Sequence, residues 1–473
     1  MNDVVVRFAP SPTGFLHIGG IRTALINYIV VQQSKKKDPK SKLLLRIEDT
    51  DITRSKDEYK KSILDGLEWM GIEWDEKPHI QSESIDRHKE IAFKLLEKGH
   101  AYKCVCTKEE LETRRLENQK LRKNIKRLCT KCKNDSATQQ LEKDFCIRIN
   151  IPNDGKISVL DKIQGLVVVE NKEIDNFILL RKDGTPTYML SVVVDDHDMG
   201  VNMIIRGDDH LNNIFRQLHI YKSLKWDLPT YAHHPLIHGD DGLKLSKRHG
   251  AVDINEFKKK GYLPQAIINN LILLSWSPKK NDENIEIGEI INTFDLEKMS
   301  KSSSIFDYNK LNHFNNFYLQ KEENYKYFEE FVNENSILKN FFDIDKILMK
   351  KLFNTYKKNI NFYSELENIS KIYYDEEFKT ILNNELDDNF NIILNDFMKH
   401  LDFIDVWSKD NLKNCINKFL ELKKIKFPIF GKPVRIVLTN LKEGPPINDI
   451  LFILGRKNTF LRLNNYINSA NKL

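Results

Sequence analysis

The chain has 473 residues, 40% of them hydrophobic and 30% charged, with a net charge of +6. That length exceeds a single core and calls for three or more domains, and the charge balance admits RNA as a partner without demonstrating it. No apolar stretch approaches the roughly 20 residues of a membrane-spanning helix, and the amino terminus opens straight into a strand pattern, so a cytoplasmic protein with no membrane partner is expected.

Residues 1–103 alternate strands with helices. The strand Val4–Phe8 runs into Ala9-Pro10-Ser11-Pro12-Thr13-Gly14-Phe15-Leu16-His17-Ile18-Gly19-Gly20, and the following helix, Gly20–Gln33, places Ile21, Ala24, Leu25, Tyr28 and Ile29 on one face. Strand Leu43–Ile47 and helices Lys56–Met70 and Ile85–Lys98 continue the alternation, which predicts a parallel sheet covered by helices. A strand, a Pro-stiffened loop and a helix start make an anion site. Backbone N–H groups face the loop, Gly14, Gly19 and Gly20 let a nucleotide approach closely, and His17 can donate to a phosphoryl oxygen.

Between 104 and 190 the alternation stops, which predicts a domain inserted into the first. It holds a charged helix, a cysteine cluster and strand-like runs at Cys146–Ile151 and Gly165–Glu170. From Lys108 to Lys133 stand ten Lys/Arg against four Glu, either a solvated, charge-laced helix or a basic element for an RNA backbone. Cys104-x-Cys106 and Cys129-x-x-Cys132 are close pairs separated by 22 residues, able to converge on one tetrahedral Zn²⁺, with Cys146 and Cys415 left over. Four protein ligands leave no open position, so the metal is expected to be structural.

Val192–Val194 and Met203–Arg206 read as buried strands that resume the split nucleotide-binding fold over 191–239. After a strand-like His233–His238 and the turn Gly239-Asp240-Asp241-Gly242 comes Lys244-Leu245-Ser246-Lys247-Arg248, two lysines three apart beside a hydroxyl and an arginine, suited to gripping a departing pyrophosphate. Residues 240–310 read as a connecting domain of short helices, Pro264–Ser275 among them. From 311 to 473 strand alternation is missing, and segments such as Ile344–Tyr356 and Asp410–Leu422 have helical spacing, which predicts an all-α region.

Together with Arg46-Ile47-Glu48-Asp49-Thr50-Asp51, Gly184-Thr185-Pro186-Thr187-Tyr188, Val194-Asp195-Asp196-His197-Asp198-Met199-Gly200, Ile205-Arg206-Gly207-Asp208-Asp209-His210 and Pro433-Val434-Arg435-Ile436-Val437-Leu438-Thr439, these motifs resemble, in order and spacing over the whole length, the class I aminoacyl-tRNA synthetases of the bacterial glutamyl type. The resemblance implies a Rossmann-type α/β catalytic domain, an inserted zinc-containing domain at the tRNA acceptor end, a connecting domain and an all-α anticodon-binding region in two sub-bundles. It implies ATP as substrate, held with Mg²⁺ by Gly14, His17, Gly19, Gly20, Lys244, Ser246, Lys247 and Arg248, of which His17, Lys244 and Lys247 carry catalysis. Glutamate needs at least two cations and one anion, and the resemblance implies that Arg7 and Arg206, at strand ends, take its carboxylates and Glu48 its ammonium, with Ser11 and Tyr188 completing the pocket.

Four points qualify the resemblance. Cys132 stands where the family commonly has a histidine, and Val192 where some relatives have a polar residue. Lys298-Met299-Ser300-Lys301-Ser302 spells the generic family motif but follows the helix-like Ile290–Glu297, so 244–248, at the sheet's carboxyl edge, is the expected site. His197 and His210, each beside aspartates, read as structural or as nucleotide and acceptor-end contacts. The residues read as facing the third anticodon letter, Lys357, Lys358 and Asn359, include no arginine, which leaves the glutamine tRNA open as a second substrate beside the glutamate tRNA. A monomer is expected. Two rivals, a tRNA-modifying paralogue and an idle RNA-binding module, are disfavoured by the long stretch after 310 and by intact His17 and Lys247.

Overall fold

The computed structural model describes residues 3–51, 53–121, 126–129, 131–246, 253–278, 283–374, 378–380 and 390–470. It divides into two compact units, one of residues 1–257 and 267–308, the other of 258–266 and 309–473.

In the first unit, strands β1 (Val5–Phe8), β2 (Lys42–Ile47) and β3 (His79–Ile80) pair in parallel, with helices α1 (Ile18–Lys35), α2 (Asp57–Trp69) and α3 (Ile85–Glu97) between or after them. β1 is buried at all four positions and β2 at five of six, as befits parallel strands covered on both faces. Then follow β4 (Ala101–Cys104), α4 (Lys108–Lys120), the single turn α5 (Ser136–Gln139), β5 (Cys146–Ile149), β6 (Lys156–Asp161), β7 (Gly165–Glu170) and β8 (Ile178–Leu180). β4, β5 and β8 form one antiparallel sheet and β6–β7 a hairpin, the change of strand direction that marks an insertion. Helix α4 opens on a capping box between Thr107 and Glu110 and buries no residue, so its charges are solvated.

Helix α6 (Tyr188–Asp198) corrects one expectation: Val192–Val194, read as a strand, lie inside it. A short apolar run cannot be told from a buried helix by periodicity, and residues 190–196 are buried all round. The helix also lets consecutive carboxylates reach buried partners, Asp195 toward His88 and Asp196 toward Arg46. His197 accordingly follows no strand; it stacks on Trp226 at 3.6 Å. The parallel pattern resumes with β9 (Met203–Gly207), α7 (Asn213–Leu224) and β10 (Thr230–His234). β9 runs beside β1, where Val5 N–H donates to Asn202 Oδ1 at 2.9 Å and Asn202 N–H to Val5 O at 3.1 Å. Next come β11 (Ile237–His238), α8 (Ile254–Lys260), α9 (Pro264–Leu273), α10 (Ile287–Thr293) and β12 (Ser304–Ile305), with β11 and β12 paired in parallel.

Among the described residues the second unit is helical throughout, running α11 (Tyr308–Leu319), α12 (Tyr325–Glu334), α13 (Ser336–Ile344), α14 (Lys346–Tyr356), α15 (Leu366–Tyr374), α16 (Phe390–Asp402), α17 (Lys409–Lys423), α18 (Phe427–Thr439) and α19 (Ile447–Ala470). The expected helix Ile344–Tyr356 instead starts after Asp345, whose carboxylate accepts from Leu348 N–H and caps it. α19 bends at Gly455, where φ is 72°. Among the described residues no helix is long and apolar enough to cross a membrane.

Candidate active site

At the carboxyl ends of β1, β2 and β9 lies a cavity of about 570 Å³, lined by Arg7, Ser11, His17, Gly19, Gly20, Glu48, Tyr188, Arg206, Asp209, His210, His234 and Lys244 among others. This is where a parallel open sheet binds its ligands, beyond the strand ends and beside a helix N-terminus.

His17 is the N-cap of α1, and its Nδ1 accepts from Gly20 N–H at 3.2 Å. Nδ1 is therefore unprotonated and Nε2 carries the hydrogen. Partial removal from water, then the Lys244 ammonium, lowers the His17 pKa from 6.5, with Asp209 and Asp253 opposing. A Cβ on Gly19 would sit 3.1 Å from the His17 ring, so the glycine lets the imidazole lie over the helix start. The first turn of α1 has no acidic residue to occupy its N–H groups. Lys244 reaches Asp209, Nζ to Oδ2 2.8 Å, from a strand-turn that closes with Gly239 N–H donating to Leu243 O.

The opposite wall is a buried charge network. Arg7 Nε and Arg46 Nη1 both donate to Asp196 Oδ1, at 2.9 and 2.6 Å, and Arg46 Nη2 donates to Glu48 Oε1 at 3.1 Å. Burial raises the Glu48 pKa despite Arg46 and Arg7. Arg206 differs from both: it is 5% exposed, has no ion-pair partner among the described residues, and its buried Nη1 has no acceptor. Burial lowers its pKa accordingly. A buried guanidinium without a carboxylate leaves its counter-charge to a ligand. Tyr188 Oη lies 3.2 Å from His210 Nδ1, and burial, then Arg206, depress His210 to about 4.

Of the expected residues, Arg7, Ser11, His17, Gly19, Gly20, Glu48, Tyr188, Arg206 and Lys244 line this one cavity. Gly14 and Ser246 do not line it, and Lys247 and Arg248 lie outside the described residues. The second motif, 298–302, is also absent from the lining, and Lys301 Nζ donates to Gln164 O at 3.1 Å. Val192 is buried and does not line the cavity. Arg46, Asp196 and Asp209, which no residue-by-residue expectation included, stand inside the sequence motifs of the first unit, where the runs Asp195-Asp196 and Asp208-Asp209 are the signal for them.

Elsewhere in the first unit the ligand atoms of Cys104, Cys106, Cys129 and Cys132 lie within 4.8 Å of one another. Sulfur separations are 3.5 Å for Cys104–Cys129, 3.7 Å for Cys106–Cys129 and 3.5 Å for Cys106–Cys132. A tetrahedral zinc with Zn–S bonds of about 2.3 Å has edges of about 3.8 Å, so the donor set and its spacing fit that ion. Cys146 stays outside the set, its Sγ directed to Cys104 O at 3.3 Å.

A model of the catalytic domain of class I tRNA synthetases (E and Q) matches residues 3–313, and an anticodon-binding-domain model matches 323–467. The chain belongs to the class I tRNA synthetases of this E and Q group. It is 40% identical over 465 residues to glutamate–tRNA ligase 2 of Wolbachia pipientis subsp. Culex pipiens, covering 98% of this chain and 99% of that protein. To glutamate–tRNA ligase 1 of Bartonella tribocorum it is 39% identical over 480 residues, 98% of each. The crystal structure of a glutamate tRNA ligase from Elizabethkingia meningosepticum in complex with its amino acid superposes with a TM-score of 0.83 at 28% identity, covering 99% of this chain and 100% of that one.

Proposed function

We propose that the protein is a glutamate–tRNA ligase, which activates L-glutamate with ATP to glutamyl-adenylate and transfers glutamate to the 3′ end of the glutamate tRNA. The observation that carries the amino-acid choice is Arg206, a buried guanidinium without a carboxylate, in one cavity with Arg7, Glu48, His17 and Lys244.

Activation needs no enzymatic nucleophile. The α-carboxylate of glutamate attacks the α-phosphorus of ATP, and pyrophosphate leaves. The protein positions the reactants and neutralises charge. Arg206 and Arg7 hold the two carboxylates, Glu48 the ammonium, and Ser11 and Tyr188 close the pocket. His17 Nε2–H donates to phosphoryl oxygens, the start of α1 at Gly19 and Gly20 faces the phosphates, and Lys244 and Lys247, with Ser246 and Arg248, hold the leaving pyrophosphate. Mg²⁺ bound with ATP adds charge neutralisation.

In this reading residues 1–103 and 191–239 form the catalytic domain, 104–190 receive the acceptor end, 240–310 connect, and 311–473 read the anticodon, in a cytoplasmic monomer. Cys104, Cys106, Cys129 and Cys132 hold one structural zinc per chain. The glutamine tRNA is a second candidate substrate, since Lys357, Lys358 and Asn359 offer no guanidinium. ATP-dependent charging of purified glutamate and glutamine tRNAs with L-glutamate tests both. Charging of the first establishes the activity and charging of the second the wider specificity; no glutamate transfer to either refutes the reading.

A further inference from the structure

Behind the cavity wall stands a buried carboxylate–imidazole pair that does not line the cavity. Asp161 closes β6 of the inserted hairpin and is 2% exposed; His233, on β10, is fully buried and directly opposite Arg206 in the β9–β10 register. Asp161 Oδ1 accepts three backbone N–H groups, from Ile163 at 2.9 Å, Gln164 at 2.9 Å and His233 at 3.1 Å. Its Oδ2 lies 2.7 Å from His233 Nδ1. With both oxygens turned to donors, Nδ1 must carry the imidazole hydrogen. The Nε2 lone pair then faces Arg206, whose Nε–H donates to it at 3.0 Å. Arg206 Nη2 donates to Gln217 Oε1 at 2.9 Å, so two edges of the guanidinium are fixed by neutral acceptors that leave its charge unspent.

We propose that Asp161 and His233 are positioning residues, a relay that fixes His233 in one tautomer and thereby aims the Arg206 guanidinium at the substrate carboxylate; this rests on Arg206 being a carboxylate-binding residue. Neutral acceptors suit the task. A carboxylate placed directly on Arg206 would compete with the substrate, whereas an imidazole orients it without neutralising it.

The substitution Asp161→Asn discriminates. Three backbone N–H groups hold the amide oxygen at the Oδ1 position, so the NH₂ faces His233 Nδ1, the imidazole must invert, and Nε2–H then opposes Arg206 Nε–H. In charging assays with the full chain, the KM for glutamate should rise about ten- to a hundredfold while the KM for ATP stays within about twofold. ¹⁵N spectra of labelled histidines should show the protonated nitrogen of His233 moving from Nδ1 to Nε2. His233→Leu should raise the glutamate KM in the same way, and His233→Gln, which can turn an amide oxygen toward Arg206, should retain most of the affinity. If Asp161→Asn does not fold, the Leu and Gln variants decide alone. Folded variants with unchanged glutamate KM, equal losses for glutamate and ATP, or no difference between Gln and Leu would overturn the relay. An Arg206→Ala enzyme with normal glutamate KM would instead overturn the underlying reading of Arg206.

Discussion

His17 accepts a hydrogen bond from Gly20 N–H through Nδ1, and that contact gives one side chain two jobs: it caps α1 and leaves Nε2–H as a donor at the cavity. The jobs separate by substitution. Asn is among the best N-caps, so His17→Asn should keep thermal stability near that of the parent while lowering the activation rate by about 10²–10³, the usual cost of one transition-state donor. His17→Ala should lose both, including about 1 kcal/mol of stability. Calorimetry beside pyrophosphate exchange measured with tRNA present reads each loss; full activity in His17→Asn would remove the histidine from the chemistry.

Arg46 is fully buried and binds Asp196 and Glu48 together, so it anchors the carboxylate that places Arg7 and the one proposed to meet the substrate ammonium. Arg46→Met should strand buried negative charge and cost about 3–5 kcal/mol in urea unfolding. An unchanged unfolding midpoint would mean the network contributes nothing to stability.

Much of this was legible in the sequence, and the reasons differ by element. The strand, loop and helix start at 4–20 could be read because each local signal, apolar run, prolines, glycines and helix periodicity, points the same way. Val192–Val194 could not, because a helix buried on every face loses the polar stripe that announces a helix. The four cysteines were legible from spacing alone. The Asp161–His233–Arg206 chain was not, since it joins residues on three strands far apart in sequence, and only the β9–β10 register and the hairpin's backbone bonds bring them together.

The cluster of four cysteine sulfurs predicts one tightly bound zinc per chain, lost in Cys104→Ser or Cys129→Ser. Because the cluster lies in the inserted region and apart from the cavity, tRNA affinity should fall more than ATP affinity. Metal analysis, thiol titration and the two binding measurements check this; no zinc, with four freely reactive thiols, would refute the site.

His234 is 3% exposed, and burial, followed by Arg22, depresses it to about 3. The unfolded chain therefore binds more protons between about pH 3 and 6.5, so stability rises with pH across that window. The contribution is complete above 6.5 and is lost as the pH falls toward 3. Near pH 5 the parent's unfolding free energy should be steeper by about 1.4 kcal/mol per pH unit than that of His234→Gln. Identical slopes would show that His234 is not held neutral by the fold.

Two lysine motifs are candidates for the pyrophosphate site of the proposed reaction, and their surroundings rank them. Lys244 lines the cavity, and its ion-pair partner among the described residues is Asp209, whereas Lys301 donates to the carbonyl of Gln164 and lines no part of the cavity. A cation that strengthens its hold as charge builds on the leaving group acts on turnover more than on binding. Lys244→Ala should lower glutamyl transfer substantially, and Lys247→Ala, three residues further on in the same sequence motif, by a few orders of magnitude. Lys301→Ala should change it by less than about twofold. Steady-state kinetics on the three variants give the order directly, and the reverse ranking would move the phosphate site to 298–302.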